Sequence, residues 1–242
     1  MDTGQLADKL VLWIKDTVLA AGFKGAVIGM SGGIDSSVVA VLCHRAFPQD
    51  TLGVMIPCGS QAEDKAHAQA VADKFSIPAV EVALDNIYTS LLEVLPSYKV
   101  DATLSHLAQA NLKVRSRMLT LYYIANQLQY IVVGSSNKSE LSVGYFTKYG
   151  DGGVDIIPLG NLVKGEVRKM ARFLGIPQPI IDKPPSAGLW KGQTDEKEMG
   201  ISYDELDRYL LTGDVSSEVR GKIESMIANS GHKRALPPIP HL

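Results

Sequence analysis

The stretch of this chain best equipped to do chemistry is GMSGGIDSS, residues 29–37, which joins a short apolar run to a helical pattern. Its glycines let the backbone approach a ligand closely and take up positive φ. The amides of such a turn, with the start of the helix that follows, converge on negative charge. Ser31, Ser36 and Ser37 add hydroxyl donors. Asp35 would repel a phosphate unless a hard cation such as Mg2+ sat between the two anions and took oxygen from both. A P-loop would need a lysine here and a dinucleotide fold would need G-x-G-x-x-G, and the stretch has neither. Gly29-Met30-Ser31-Gly32-Gly33 does satisfy the G-x-S-x-G nucleophile elbow, and His232 follows in the order an α/β-hydrolase requires. That alternative makes Ser31 a nucleophile but gives Asp35 no task. The plainest alternative is a glycine-rich turn with a Ser or Asp helix cap.

Other candidates lie further along. Glu140 follows the apolar run Tyr130–Val133, so it can reach the same carboxyl edge of a sheet as Asp35, where two carboxylates could share Mg2+. A solvated carboxylate at a helix start is the alternative. Lys164 opens a helical pattern, where a cation opposes the helix dipole, and the misplacement points to a ligand. Lys148 lies in FTKYGDGG, residues 146–153, and His232 and Lys233 in GHKR. Their ordinary reading is surface charge. Arg115 and Arg117 point about 200° apart on a helix, so one can line a site while the other is solvated or bridges to a partner.

The elements that must position these residues alternate. Helical spacing covers Leu6–Ala21, Ser36–Phe47, Gln61–Phe75, Thr103–Gln129, Lys164–Leu174 and Tyr203–Ile227. In the long helix Leu107, Val114, Met118, Leu121 and Leu128 form one stripe. Strand candidates are Ala26–Met30, Thr51–Ile56, Ala79–Leu84, Tyr130–Val133 and a short Asp155–Pro158. Strands alternating with helices predict a doubly wound parallel sheet of about five strands, covered on both faces. Residues 177–200, rich in proline and glycine, read as a mobile functional loop. Residues 1–242 read as one domain.

Composition narrows the function. A net charge of −2 argues against a dedicated nucleic-acid binder. Two cysteines, Cys43 and Cys58, make neither a disulfide framework nor a four-cysteine metal site, and both fit as small buried residues. No apolar run is long enough to span a bilayer, and the first ten residues lack the pattern of a signal peptide, so a soluble cytoplasmic protein is expected. His44, His67 and His106 suggest no role.

SGGIDSS resembles the pyrophosphate loop of the N-type ATP pyrophosphatases, enzymes with a Rossmann-like fold that split ATP between its α- and β-phosphates. GSSNKSE at 134–140, FTKYGDGG, NLKVR at 111–115 and HKR at 232–234 resemble, in order and separation, the NAD synthetase branch of that family. The resemblance spans about Gly25 to Arg234. It implies ATP contacts at Gly29, Met30, Ser31, Gly32, Gly33, Ile34, Asp35, Ser36, Ser135, Lys164 and Ser186. Ser135 and Ser186 stand where relatives usually carry threonine, which keeps the hydroxyl. It implies Mg2+ on Asp35 and Glu140, and contacts to deamido-NAD from Arg115, Lys148, Asp155, His232 and Lys233. The implied reaction is ATP-dependent amidation of deamido-NAD through an adenylate, giving NAD, AMP and pyrophosphate without a covalent side-chain nucleophile. Only about 25 residues precede the first strand, too few for a glutaminase domain, so free ammonia is the expected nitrogen donor. A homodimer is implied too, with the outer face of the long helix and its Tyr122 and Tyr123 as interface.

Overall fold

The computed structural model describes residues 2–190 and 192–240. Its core is the strand β1 (Gly25–Gly29), whose sequence GAVIG contains nothing polar and is almost wholly buried. Because side chains alternate along a strand, Ala26 and Ile28 enter one hydrophobic cluster and Val27 enters another on the opposite face. Around β1 lie β2 (Thr51–Met55), β3 (Ala79–Glu81) and β4 (Tyr130–Val133), all parallel in the order β3-β2-β1-β4. The expected doubly wound parallel α/β architecture is present with four strands. The anticipated fifth, Asp155–Pro158, is reduced to one parallel bridge between Val133 and Ile156.

One face of the sheet carries α1 (Thr3–Ala20), α2 (Ile34–Ala46), α3 (Ala62–Phe75) and α7 (Lys164–Leu174). Helix α2 is apolar around most of its circumference and is buried accordingly, including Cys43. The other face is covered by α5 (Ala102–Leu128), and Cys58 is buried there. Only part of the predicted α5 stripe holds. Met118 and Leu121 are buried and Val114 is half-buried, but Leu107 and Leu128 are exposed. A helix of 27 residues, roughly 40 Å long, outruns a four-stranded sheet, so the sheet does not cover its ends.

Helix α4 (Asp85–Val94), which the sequence reading left unassigned, precedes α5 and buries none of its residues. After β4 come the short α6 (Lys138–Val143), then α7, and then the stretch 177–200. That stretch is not an uninterrupted loop. It contains α8 (Gln178–Asp182) and α9 (Asp195–Met199), with Lys191 outside the described residues. The predicted helix Tyr203–Ile227 is divided into α10 (Tyr203–Thr212) and α11 (Ser217–Asn229). Gly213, at φ +73°, ends the first in a left-handed cap, and the Ser216 side chain accepts from the Val219 amide to start the second. Among the described residues, no helix is long and apolar enough to cross a membrane.

The tightest backbone approach in the sheet lies at the entrance to β1. The Ala26 amide donates to the Asp50 carbonyl at 2.9 Å, and a Cβ on Gly25 would lie 2.0 Å from that same oxygen. Gly25→Ala is therefore expected to push β1 and β2 apart, costing about 2 kcal/mol. Thermal denaturation should show a midpoint lowered by roughly 4–8 °C.

Candidate active site

The glycine turn leaves β1 at the carboxyl edge of the sheet and runs straight into α2. Met30 and Ile34 turn their side chains into the core, so only their main chain serves the turn. Gly32 has φ +79°, and a Cβ there would lie 2.1 Å from the Asp64 carbonyl, so the turn is packed against the start of α3. The Ser31 and Ser36 hydroxyls are 3.0 Å apart, and the Gly33 amide donates to Ser31 Oγ at 3.3 Å. Ser36 and Ser37 also donate to the Gly33 carbonyl at 3.1 and 2.7 Å. These contacts fix the loop from within. No side chain caps Gly33, so the first amides of α2 are left for an anion rather than for a Ser or Asp cap. The hydroxyl partners of Ser31 are a second serine and an amide, not a histidine, which removes the geometric basis for a nucleophile elbow.

Asp35, Glu140 and Lys164 meet beside this turn. Lys164 Nζ lies 2.6 Å from Asp35 Oδ2 and 3.1 Å from Glu140 Oε1 and is 2 % exposed. Burial pushes the Glu140 carboxyl up to about 7, opposed by Lys164 and reinforced by Asp35. For Lys164, burial pulls the pKa down but Asp35 and Glu140 lift it above the ordinary lysine range. Helix α7 begins at Lys164 itself, as the sequence suggested. The electrostatic misplacement is offset by Asp207 of α10, which accepts from the Lys164 and Gly165 amides at 3.3 and 2.7 Å and from Ser139 Oγ at 2.5 Å.

Among the described residues, no group of three or more His, Cys, Asp or Glu side chains converges as a metal cage. Two hard carboxylates around a buried ammonium do fit Mg2+, which takes few protein ligands and completes its shell from water and phosphate. Asn137, fully buried, was missed as a functional residue. Its Nδ2 donates to Asp35 Oδ1 at 2.8 Å while its Oδ1 accepts from the Glu140 amide at 3.0 Å. The capping pattern Asn137-x-x-Glu140 was the available signal. Asp207 had no local signal, because its partners are distant in sequence.

The residues expected to hold deamido-NAD form a second group. Arg115 Nε donates to the Lys148 carbonyl at 3.2 Å, and Lys148 Nζ to the His232 carbonyl at 2.6 Å, so the three form one string. Lys233 Nζ donates to the carbonyls of Gly144 and Phe146, both at 2.8 Å. Asp155 stands apart from this string, accepting from Tyr122 OH at 2.9 Å and the Val132 amide at 2.8 Å. A recess of about 420 Å³ nearby is lined by Arg115, Met118, Leu119, Tyr122, Tyr149 and Gly153. Arg117 is half-buried. It folds back onto the loop after β2, donating to the Ile56 carbonyl at 3.1 Å and Ser60 Oγ at 3.2 Å.

The loop after α8 crosses the same edge. Lys183 Nζ is 2.5 Å from Asp64 Oδ1 and 3.3 Å from Glu63 Oε2, and Lys113 Nζ donates to the Leu189 carbonyl at 3.3 Å. Ser186 is exposed on this loop and accepts from the Gly188 amide at 3.1 Å, while Ser135 is half-buried in the turn after β4. His106, to which the sequence gave no role, stacks against Trp190 at a centroid distance of 4.7 Å.

Residues 6–237 match the NAD synthase family. The NH(3)-dependent NAD(+) synthetase of Syntrophomonas wolfei subsp. wolfei is 48% identical over 240 residues, covering 99% of this chain and 96% of the relative. Among solved structures, NMN synthetase from Francisella tularensis superposes with a TM-score of 0.95 at 36% identity, covering 100% of both chains. The NH3-dependent NAD synthetase from Campylobacter jejuni subsp. jejuni, in complex with the nitrate ion, superposes with a TM-score of 0.81 at 25% identity, again over 100% of both. The order β3-β2-β1-β4, the glycine turn and a match over nearly the whole chain lead to one conclusion: this chain belongs to the NAD synthase family.

Proposed function

We propose that this chain amidates deamido-NAD with ammonia at the expense of ATP, releasing NAD, AMP and pyrophosphate. The observation that carries the reading is the convergence of Asp35, Glu140 and Lys164 on a glycine turn followed by an uncapped helix start. A carboxylate resists attack by ammonia because its oxide is a poor leaving group. Transfer of the α-phosphoryl group of ATP to the nicotinate oxygen makes an acyl adenylate, and the bond from the α-phosphorus to pyrophosphate breaks. Ammonia then adds to the carbonyl, AMP departs and the nitrogen loses its proton. Residues 29–36 act by holding the departing pyrophosphate with amides and hydroxyls. Asp35 and Glu140 would hold Mg2+, which when bound neutralises phosphate charge. Lys164 brings a second cation to the same place, and Ser135 and Ser186 offer hydroxyls to the nucleotide. The loop 183–194 keeps water from the adenylate. Arg115, Lys148, His232, Lys233 and Asp155 orient deamido-NAD, with Tyr122 and Tyr149 as apolar walls for a ring.

The superposition on NMN synthetase at TM-score 0.95 favours a second reading, in which the acid amidated is the mononucleotide counterpart, nicotinate mononucleotide. The chemistry at the carboxylate is the same, and only the adenylyl half is missing.

The reading extends to assembly as a homodimer. Helix α4 buries no residue of its own, and Ile87, Val94, Leu104, Leu119 and Tyr123 are each more than half exposed along it and the outer face of α5. An apolar surface of this kind calls for a partner, and a second copy offers the same surface in return. Tyr122 does not belong to it, being half-buried and bonded to Asp155.

Purified protein given ATP, Mg2+ and an ammonium salt should convert deamido-NAD to NAD with stoichiometric AMP and pyrophosphate. ADP and phosphate as products would refute the proposal, and faster turnover of nicotinate mononucleotide would establish the second reading. Asp35→Asn and Glu140→Gln should each lower kcat by about 100-fold or more. Sedimentation equilibrium at micromolar concentration should give twice the chain mass, and Leu119→Asp should shift it toward the monomer.

A further inference from the structure

A hydrogen-bonded string connects the loop over the sheet edge to the paired carboxylates. The Leu189 amide donates to Gln193 Oε1 at 2.8 Å, and Gln193 Nε2 donates to Glu198 Oε2 at 3.0 Å. Glu198 meets the Tyr145 hydroxyl, which lies 3.1 Å from Asp195 Oδ1. The other oxygen of Asp195 is 2.9 Å from the Tyr203 hydroxyl, and that hydroxyl is 3.1 Å from Glu140 Oε1. Tyr203 is fully buried, and Asp195 and Gln193 nearly so. The reaction described above assigns no task to any of these five side chains.

The string has two phenolic protons to place. A tyrosine hydroxyl donates one hydrogen bond. Tyr203 faces two carboxylates, Glu140 and Asp195, and Tyr145 faces Asp195 and Glu198. Glu140 is also served by Lys164 and the Asn137 amide, and Glu198 by Gln193, so among the described residues the side chain of Asp195 has the two phenols as its donors. An acceptor left without a donor inside a protein is costly, so whatever satisfies Glu140 decides where the Tyr203 proton goes. If a cation takes Glu140, the proton of Tyr203 passes to Asp195, whose two oxygens then each accept a hydroxyl. Asp195 is also the residue whose amide closes the loop on itself, donating to the Pro185 carbonyl at 3.0 Å.

We propose that Tyr203 is a positioning residue: its hydroxyl is divided between Glu140 and the loop carboxylate Asp195, so a cation bound at Asp35 and Glu140 with ATP phosphates commits that proton to Asp195 and fastens residues 183–190 and 192–194 over the site. The inference rests on the proposed use of ATP and Mg2+. It gives the loop a signal to close that is tied to nucleotide occupancy rather than to the second substrate. The Tyr203 ring, 4.8 Å from Lys164 Nζ, keeps its contact in a Tyr203→Phe variant, so that substitution removes the hydroxyl alone.

The test combines calorimetry, hydrogen exchange and kinetics on the full chain, using Mg2+ with α,β-methylene ATP as the unreactive probe. The wild-type chain should bind the probe and gain at least about tenfold protection of the amides of 183–194. Tyr203→Phe should gain less than about twofold protection and, because closure and binding are linked, should bind the probe about fivefold or more weakly. Its kcat should fall by about tenfold or more, and its melting temperature should stay close to wild type. Asp195→Asn should behave alike, and the double variant should be no worse than either single one. Wild-type protection or kcat in Tyr203→Phe, or effects that multiply in the double variant, would overturn the inference while leaving the proposed reaction standing. No binding of the probe by the wild type would instead remove the reaction and the inference together.

Discussion

The structure turns on a lysine with almost no access to water. Placing Lys164 between Asp35 and Glu140 joins three separate elements, the starts of α2, α6 and α7. A buried ion pair of this kind is poor evidence for stability, because removing the charges from water costs as much as their attraction returns. Its value lies in geometry. Neither carboxylate can turn away without costing the buried ammonium one of its two partners, so the cluster holds its shape before any ligand arrives. The same arithmetic leaves the surroundings short of positive charge, since Asp195 joins the two carboxylates around one lysine. A divalent cation fits a site with that imbalance.

Supporting this cluster accounts for much of the irregular chain after β4. Asp207 satisfies the α7 amides that a cation at the first position would otherwise repel, and α10, which carries it, packs through Leu206 into a third small core with Val143, Met199 and Ile223. The sheet and its two main layers are thus continuous with a helical annex from which Asp207, Tyr203 and Asp195 reach the carboxylate cluster or its loop. The second group, Arg115 with Lys148 and His232, is carried by α5, the turn after α6 and the turn after α11. Asp35 and Glu140 follow β1 and β4 at the carboxyl edge, the usual place for ligands in parallel α/β sheets.

Much of this was legible in the sequence because local rules governed it. GAVIG and YIVV read as strands because they are apolar throughout, and Gly32 marked a turn that needs positive φ. Lys164 was noticed because it sits badly at a helix start. What escaped depended on distance. The break at Gly213 was hidden inside a continuous helical pattern, and the exposed ends of α5 followed from the width of the sheet rather than from α5 itself. Arg117 had two outward readings and took an inward one, because the loop after β2 offered it a carbonyl and a hydroxyl. Asp207, Tyr203 and Tyr145 act across gaps in sequence that no periodicity reveals.

Asn137 has one further implication. Its side-chain amide ties the Asp35 carboxylate to the main chain at Glu140, donating to the first and accepting from the backbone N–H of the second. An amide neither gains nor loses a proton over the range in which cells live. The brace between the Asp35 carboxylate and the Glu140 main chain is accordingly indifferent to acidity, so a change of charge on the Glu140 carboxyl leaves it in place.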